Sequence, residues 1–368
     1  MSVKSKLREA RKRDRLTQDE IAAAVGITRQ AYLAIELGKA VPSTETALKL
    51  ARKLHAKVED LFYLDDDGGS SVQAEIIGDI PVSSGTRVQL FEVGSRLLAR
   101  PLIGDSAEIS LLNLADATVN GNAKSGNTVD MRLMDQSARK MPTLVLSGGD
   151  PSISFIASMM RERGVRLIWI EGSSMASVQA LGRGEVHVAG CHYRDKVTGI
   201  YNTPLVKSTV PFPCTIVRFV KEEQGFILRT GNPKLIRRID DLARADITII
   251  NRQEGSGARG LMHRLMHQVH LHPSDINGHD NCVTGDMAVA KIVRAGLADC
   301  GMGVVAAARA AGLGFLPLDE EPYDLIIPNH FLDLPAVQLL LDLLRSRELG
   351  RQVEALGGYD ASLMGKTY

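Results

Sequence analysis

The stretch Thr17–Ser43, TQDEIAAAVGITRQAYLAIELGKAVPS, constrains this chain more than any other. Thr17 with Glu20 three residues later forms a capping box that opens a helix, and Ile21, Ala22 and Val25 set its apolar positions on one face. Gly26 ends that helix, because a residue without a Cβ enters the left-handed conformation at no steric cost. Ile27 fills the angle that follows, and Thr28 caps a second helix running to about Gly38. Two short helices set at a steep angle result.

This is a helix-turn-helix. The order Gln18, Ala22, Gly26, Ile27, Thr28, Ile35, Glu36, Gly38, Pro42-Ser43 closely resembles the Cro and phage-repressor (XRE-type) DNA-binding domain over residues 1–64. The resemblance implies that the second helix enters the major groove of double-stranded operator DNA and that homodimers pair on two half-sites. Carried onto this sequence, it makes Arg29 and Gln30 the base readers, Arg suiting guanine and Gln suiting adenine through paired hydrogen bonds. Ala34 matches a groove-facing position whose methyl touches at most a thymine. Gln18, Thr28 and Lys39 match positions that hold phosphates and fix register. Tyr32 and Ile35 are expected in the core. The alternative is a small helical interaction domain with a solvated polar face.

Charge supports the nucleic-acid reading. Residues 1–64 contain 13 Lys/Arg and 8 Asp/Glu, a net of +5, whereas the whole chain has a net of +1. At 368 residues the chain has room for two or three domains. No apolar run approaches the length of a membrane span and the N-terminus lacks a signal-type core, so a cytoplasmic protein without a membrane partner is expected. Cys191, Cys214, Cys282 and Cys300 lack metal or disulfide spacing and read mostly as buried small side chains.

Ser43 and Glu45 open a third amphipathic helix, and VEDLFYL, ending at Leu64, closes the all-α domain. Residues 65–71, DDDGGSS, read as a polar linker. From 72 to 140 short alternating segments broken by Gly and Pro predict a small β-rich module of hairpins, a spacer or a dimer-forming unit, with 120–127 as a surface loop.

From 141 to 368 the chain is mainly α/β. Thr143–Leu146, Val165–Ile170 and Glu185–Ala189 are expected strands, with helices at Ser152–Arg163 and after Ser174. Two longer extended segments lie between Pro211 and Arg229, followed by a second α/β series from Ile247 and a helix from Ala258. The succession LVLSGGDPS, GEVHVAGCHYRDKVTGIYN, GFILRTGNP, DLARADITIINRQEGSGAR, AGLADCGMG and EEPYDLIIP closely resembles the cytoplasmic, two-lobed type II periplasmic-binding-protein-like domain of the molybdate-binding type, which is found fused to helix-turn-helix modules.

The resemblance implies a small anionic effector, molybdate or tungstate, in a cleft between lobes, with no other cofactor. Ser147-Gly148-Gly149-Asp150, Ser173-Ser174 and Gly255-Ser256-Gly257 lie between strands and helices, where free N–H groups favour an anion. Arg252 and Arg259 flank the third loop, Thr284 joins the expected lining, and His192 is the histidine best placed for the cleft, a packed or capping role being its alternative. Two departures stand against the oxyanion. Gly148-Gly149 replaces the family's Ser-His, and Asp286 replaces a His before the later helix. Asp286 either caps its own helix or marks an organic ligand with hydroxyl or amine groups.

His263, His267, His270 and His272 read as a solvated helix face and its exit rather than a metal site, having no acidic partner at zincin spacing. No nucleophile, base and orienting partner share a recognisable spacing, so no catalytic residue is expected. The reading is a ligand-controlled transcription regulator. An enzyme of molybdenum-cofactor metabolism with a DNA-binding appendage and a ligand-independent repressor are the alternatives.

Overall fold

A computed structural model describes residues 2–14, 16–65, 71–78, 81–104, 114–121, 127–134 and 141–368. Most of the 65–71 linker and of the 120–127 loop lies outside the described residues. The chain falls into two compact units, Met1–Val72 with Arg132–Met134, and Gln73–Met131 with Asp135–Tyr368.

In the first unit β1 (Ser2–Ser5) leads into α1 (Leu7–Arg13), α2 (Gln18–Val25), α3 (Arg29–Glu36), α4 (Thr44–Lys53) and α5 (Val58–Leu61), and β2 (Phe62–Asp65) pairs antiparallel with β1. The strand pair and α1 add to the helices legible in the sequence. The expected caps form. Thr17 and Glu20 make both capping-box hydrogen bonds, Gly26 is left-handed at φ 76°, and Thr28 Oγ1 accepts from Ala31 N at 3.1 Å. Such a cap contributes about 1 kcal/mol. Leu7, Ile21, Val25, Tyr32, Ile35, Leu50 and Leu54 form the core.

The second unit begins with a closed barrel of β3 (Ser71–Ile76), β4 (Arg87–Val93), β5 (Arg96–Pro101), β6 (Ala117–Val119) and β7 (Thr128–Leu133). Gly94, at φ 61°, opens the two-residue turn between β4 and β5. The barrel is not a free spacer. Phe91, Val93 and Leu98 belong to the hydrophobic core of the α/β part, Arg166 forks onto Asp116 at 2.7 and 3.1 Å, and Arg100 Nη1 donates to Trp169 O at 2.8 Å.

The α/β part follows as β8 (Thr143–Ser147), α6 (Ile153–Glu162), β9 (Arg166–Ile170), α7 (Ser174–Gly182), β10 (Val188–Cys191), α8 (Thr203–Thr209), β11 (Cys214–Leu228), β12 (Ile249–Arg252), α9 (Gly257–Gln268), β13 (Cys282–Val283), α10 (Asp286–Arg294), β14 (Cys300–Val304), α11 (Val305–Ala310), β15 (Gly314–Pro328), α12 (Pro335–Leu344), α13 (Arg347–Glu354) and β16 (Tyr359–Asp360). Among the described residues these strands form one sheet ordered β13-β12-β14-β11-β15-β10-β8-β9, with β16 added to β11.

The two extended segments expected around 211–229 are one strand, β11, and its long antiparallel partner is β15, far along the chain. These two strands run through both lobes. Parallel β9-β8-β10 build the first lobe and parallel β13-β12-β14 the second, so the strand-to-helix loops of each face the other across the crossing pair. The third expected strand, Glu185–Ala189, begins three residues later because Glu185 and Val186 still belong to the turn after α7.

Candidate functional site

The helix-turn-helix holds its recognition helix from behind. Glu36, buried at the end of α3, accepts from Arg11 Nε at 2.8 Å, Gln18 Nε2 at 2.7 Å and Tyr32 OH at 3.3 Å. Burial raises the Glu36 carboxyl, but the hydrogen bonds from Arg11 and Gln18 outweigh it and hold the group below its ordinary value. The opposite side of α3 is open. Arg29, Gln30, Thr28 and Lys39 are exposed, Arg29 lies 3.7 Å from Asp19, and Ala34 is half-buried one turn on. Tyr32 and Ile35 are core residues. Gln18 spends its amide nitrogen on Glu36, which orients it within the domain.

In the second unit the two lobes meet across a narrow cleft lined by Gly149, Asp150, Gly172, Ser173, Ser174 and His192 from the first lobe, Arg252, Ser256 and Asp286 from the second, and Glu222 and Tyr323 from the crossing strands. The space inside is about 10 Å³. That is near the smallest cavity that admits one water. The lobes touch directly: Met175 N donates to Gly255 O at 3.2 Å, and a Cβ on Gly257 would meet His192 O at 2.5 Å. Glu171 of the first lobe presses against Gly285, where only a hydrogen fits.

The lining is rich in carboxyls. Glu222 Oε1 lies 2.6 Å from His192 Nδ1 and 2.7 Å from Gln224 Nε2, and Glu321 Oε2 lies 3.7 Å from the same histidine nitrogen. Asp150 accepts from Ser152 N at 2.8 Å, from the Ser152 hydroxyl, and from Tyr359 OH at 2.8 Å. Arg252 Nη1 donates to Asp286 at 2.5 Å. Burial pushes Glu222 up to about 8, with the charge of Asp286 adding to the effect. Burial and then the charge of Glu222 raise Asp150, burial raises Glu321, and burial lowers His192. The Asp150–Glu222 pair therefore retains a proton at neutral pH, as two buried carboxyls sharing a site must.

The family model for the PBP superfamily domain matches residues 157–345, over half of the chain. The chain belongs to the PBP superfamily domain family. A helix-turn-helix family model matches residues 7–61, so an XRE-type module and a PBP-like domain share one polypeptide. YvgK of Bacillus subtilis is 32% identical over 228 residues, covering 61% of this chain and 73% of that protein. An HTH-type transcriptional regulator of Methanothermobacter thermautotrophicus is 45% identical over 67 residues, 18% of this chain and 97% of its own length. Among solved structures, a phosphate ABC transporter substrate-binding protein of Clostridium perfringens with bound phosphate aligns at TM-score 0.45 and 12% identity, covering 58% of this chain and 97% of that one.

Within the PBP-like domain the structure brings Gly149, Asp150, Ser173, Ser174, His192, Arg252 and Ser256 together in the cleft. It does not bring the rest into the lining. Ser147 Oγ is paired with Ser177 Oγ at 2.9 Å beneath it, and Gly148 is the gap through which Tyr323 reaches Gly149 N at 3.1 Å. Gly255 and Gly257 serve the lobe contact. Arg259 turns outward, donating from Nη1 to Arg252 O and Cys282 Sγ, each at 3.0 Å, and Thr284 stands outside the lining. Glu222 and Tyr323 join it from strands whose register no local signal reveals.

His263 leaves the expected solvated face to stack on His279, their Nε2 atoms 3.1 Å apart. Among the described residues no group of three or more His, Cys, Asp or Glu is arranged for a metal. Two of the four cysteines are buried, Cys191 and Cys300, while Cys214 is half-buried and Cys282 exposed. No described helix is long and apolar enough to cross a membrane.

Proposed function

We propose that this chain is a cytoplasmic one-component transcription regulator. Its helix-turn-helix binds operator DNA as a homodimer, and a small ligand in the PBP-like cleft adjusts that binding. The observation that carries the reading is the open, capped start of α3. Arg29 and Gln30 stand exposed beside Thr28 on a helix anchored through Glu36, in a domain of net positive charge. The relatives named as HTH-type transcriptional regulators support it. A ligand acts by its differential affinity for open and closed lobes, and linkage makes the effect reciprocal with DNA.

Selection from a randomised duplex library tests the DNA contacts. Arg29→Ala costs about 1–3 kcal/mol of discrimination and relaxes one position per half-site, whereas Lys39→Ala weakens all sequences alike and flattens the salt dependence. Equal losses on selected and random DNA for Arg29→Ala remove it as a reader. Light scattering of the full chain on its selected duplex gives two copies per operator, and a single copy contradicts the paired arrangement.

A further inference from the structure

The oxyanion implied by resemblance does not fit this cleft. The starts of α6, α7 and α10 already face the protein's own oxygens, whereas α9 begins behind Ser256, whose side chain makes no cap hydrogen bond. Asp150 accepts from Ser152 N before α6, Ser173 Oγ accepts from Ala176 N at 3.2 Å at α7, and Glu171 lies over Gly285 where Asp286 begins α10. Arg252 is engaged by Asp286, and Arg264 approaches Glu321 at 3.3 Å from outside the lining. The lining thus holds Asp150, Glu222 and Asp286, with Glu321 directly behind, against the guanidinium of Arg252 and a histidine that burial keeps neutral.

Among the described residues five polar atoms on side chains more than nine-tenths buried lack a hydrogen-bond partner: Gln89 Oε1 in the barrel and, in the α/β part, Ser256 Oγ, Arg252 Nε, Gln224 Oε1 and Glu321 Oε2. Buried polar atoms are rarely left so, and the four in the α/β part are available to a molecule bound there. Two of them ask for an acceptor or can donate. The other two can only accept. A bare oxyanion answers the first pair, leaves the second unmet, and adds negative charge to a carboxyl-rich site.

We propose that the ligand is a small organic compound carrying a protonated primary amine and a hydrogen-bond acceptor, and not a tetrahedral oxyanion. This deepens the sensor reading above and rests on it. The ammonium donates to Glu222, Glu321 and Gln224 Oε1, and the acceptor end takes the Arg252 Nε–H and Ser256 hydroxyl. The closure described above leaves room for about one water, so the lobes part to admit the molecule and close on it less far. The groups facing Glu222 are Asp150, Asp286, Glu321, His192, Gln224, Tyr323 and Tyr359. An arriving ammonium favours the ionised form of Glu222, so binding displaces a proton. Affinity rises with pH up to about 8, by as much as tenfold per unit.

The test is the thermal midpoint of the full chain with 2-aminoethanol or glycine, and separately with sodium molybdate. At least one amine raises the midpoint, molybdate does not, and the amine affinity tightens between pH 6 and 8. Glu222→Gln abolishes the pH dependence and most of the binding. Ser256→Ala, at the rim of the cavity, keeps the fold and the pH slope but weakens binding about tenfold. Stabilisation by molybdate without any amine effect overturns the proposal and leaves the sensor reading standing. If neither class stabilises the chain the proposal is also overturned. If, in addition, native mass spectrometry of freshly purified protein finds no retained small molecule, the sensor reading falls with it.

Discussion

At the scale of single residues, Glu36 decides whether the recognition helix is held. Its carboxylate collects Arg11, Gln18 and Tyr32, and removing it leaves the partly buried Arg11 unpaired. Glu36→Ala should cost the domain about 1–3 kcal/mol. Because the folded carboxyl lies below its ordinary value, its contribution is complete above the unfolded value of 4.5 and is lost as pH falls through the folded one. Protection of the α2 and α3 amides relative to their intrinsic exchange rates should therefore fall below pH 4.5 in the wild type, and this acid sensitivity should flatten in Glu36→Gln. An unchanged pH profile would remove Glu36 as the anchor. The sequence makes Arg29 and Gln30 legible because their helix is announced by a cap and a glycine turn. Glu222 was not legible. In the run Lys221-Glu222-Glu223-Gln224 four polar residues follow one another, with no apolar alternation to mark which side chains are buried. Only the distant partners β14, β15 and β16 reveal that Glu222 and Gln224 are each 1% exposed.

At the scale of elements, local signals placed the helices and the parallel strands within a few residues, since caps, glycine turns and apolar runs act over short stretches. The pairing of β11 with β15 depends on residues about a hundred positions apart, for which the sequence carries no local mark. The same long-range pairing sets Tyr323 beside Gly148 and Gly190, where no Cβ could stand. The contact of α9 with the first lobe is equally specific. Gly257 begins that helix against His192, so Gly257→Ala forces His192 O and the helix start apart. The lobes should then open, and the Met175 amide, bonded to Gly255 O across the cleft, should exchange faster than in the wild type. An unaltered Met175 exchange rate would mean that the extra methyl is absorbed locally.

At the scale of the molecule, one polypeptide joins a DNA-binding module to a two-lobed PBP-like domain whose lobes close on almost no space. Two domain types were readable because each keeps an ordered series of short motifs. The barrel between them was readable as β-rich but not as part of the core it shares through Phe91 and Leu98. The central claim is that lobe closure and DNA affinity are coupled, and coupling of this kind is worth about 1–3 kcal/mol, or roughly 5- to 150-fold. Gly257→Ala probes it without knowledge of the ligand, because the residue lies outside the helix-turn-helix unit and its added Cβ meets His192 of the opposite lobe. The direct measurement is the affinity of the full chain for its selected duplex, wild type against Gly257→Ala, by fluorescence anisotropy at one salt concentration. The account predicts a change of about fivefold or more with sequence preference intact, and identical affinities in a variant whose lobes have opened would contradict it.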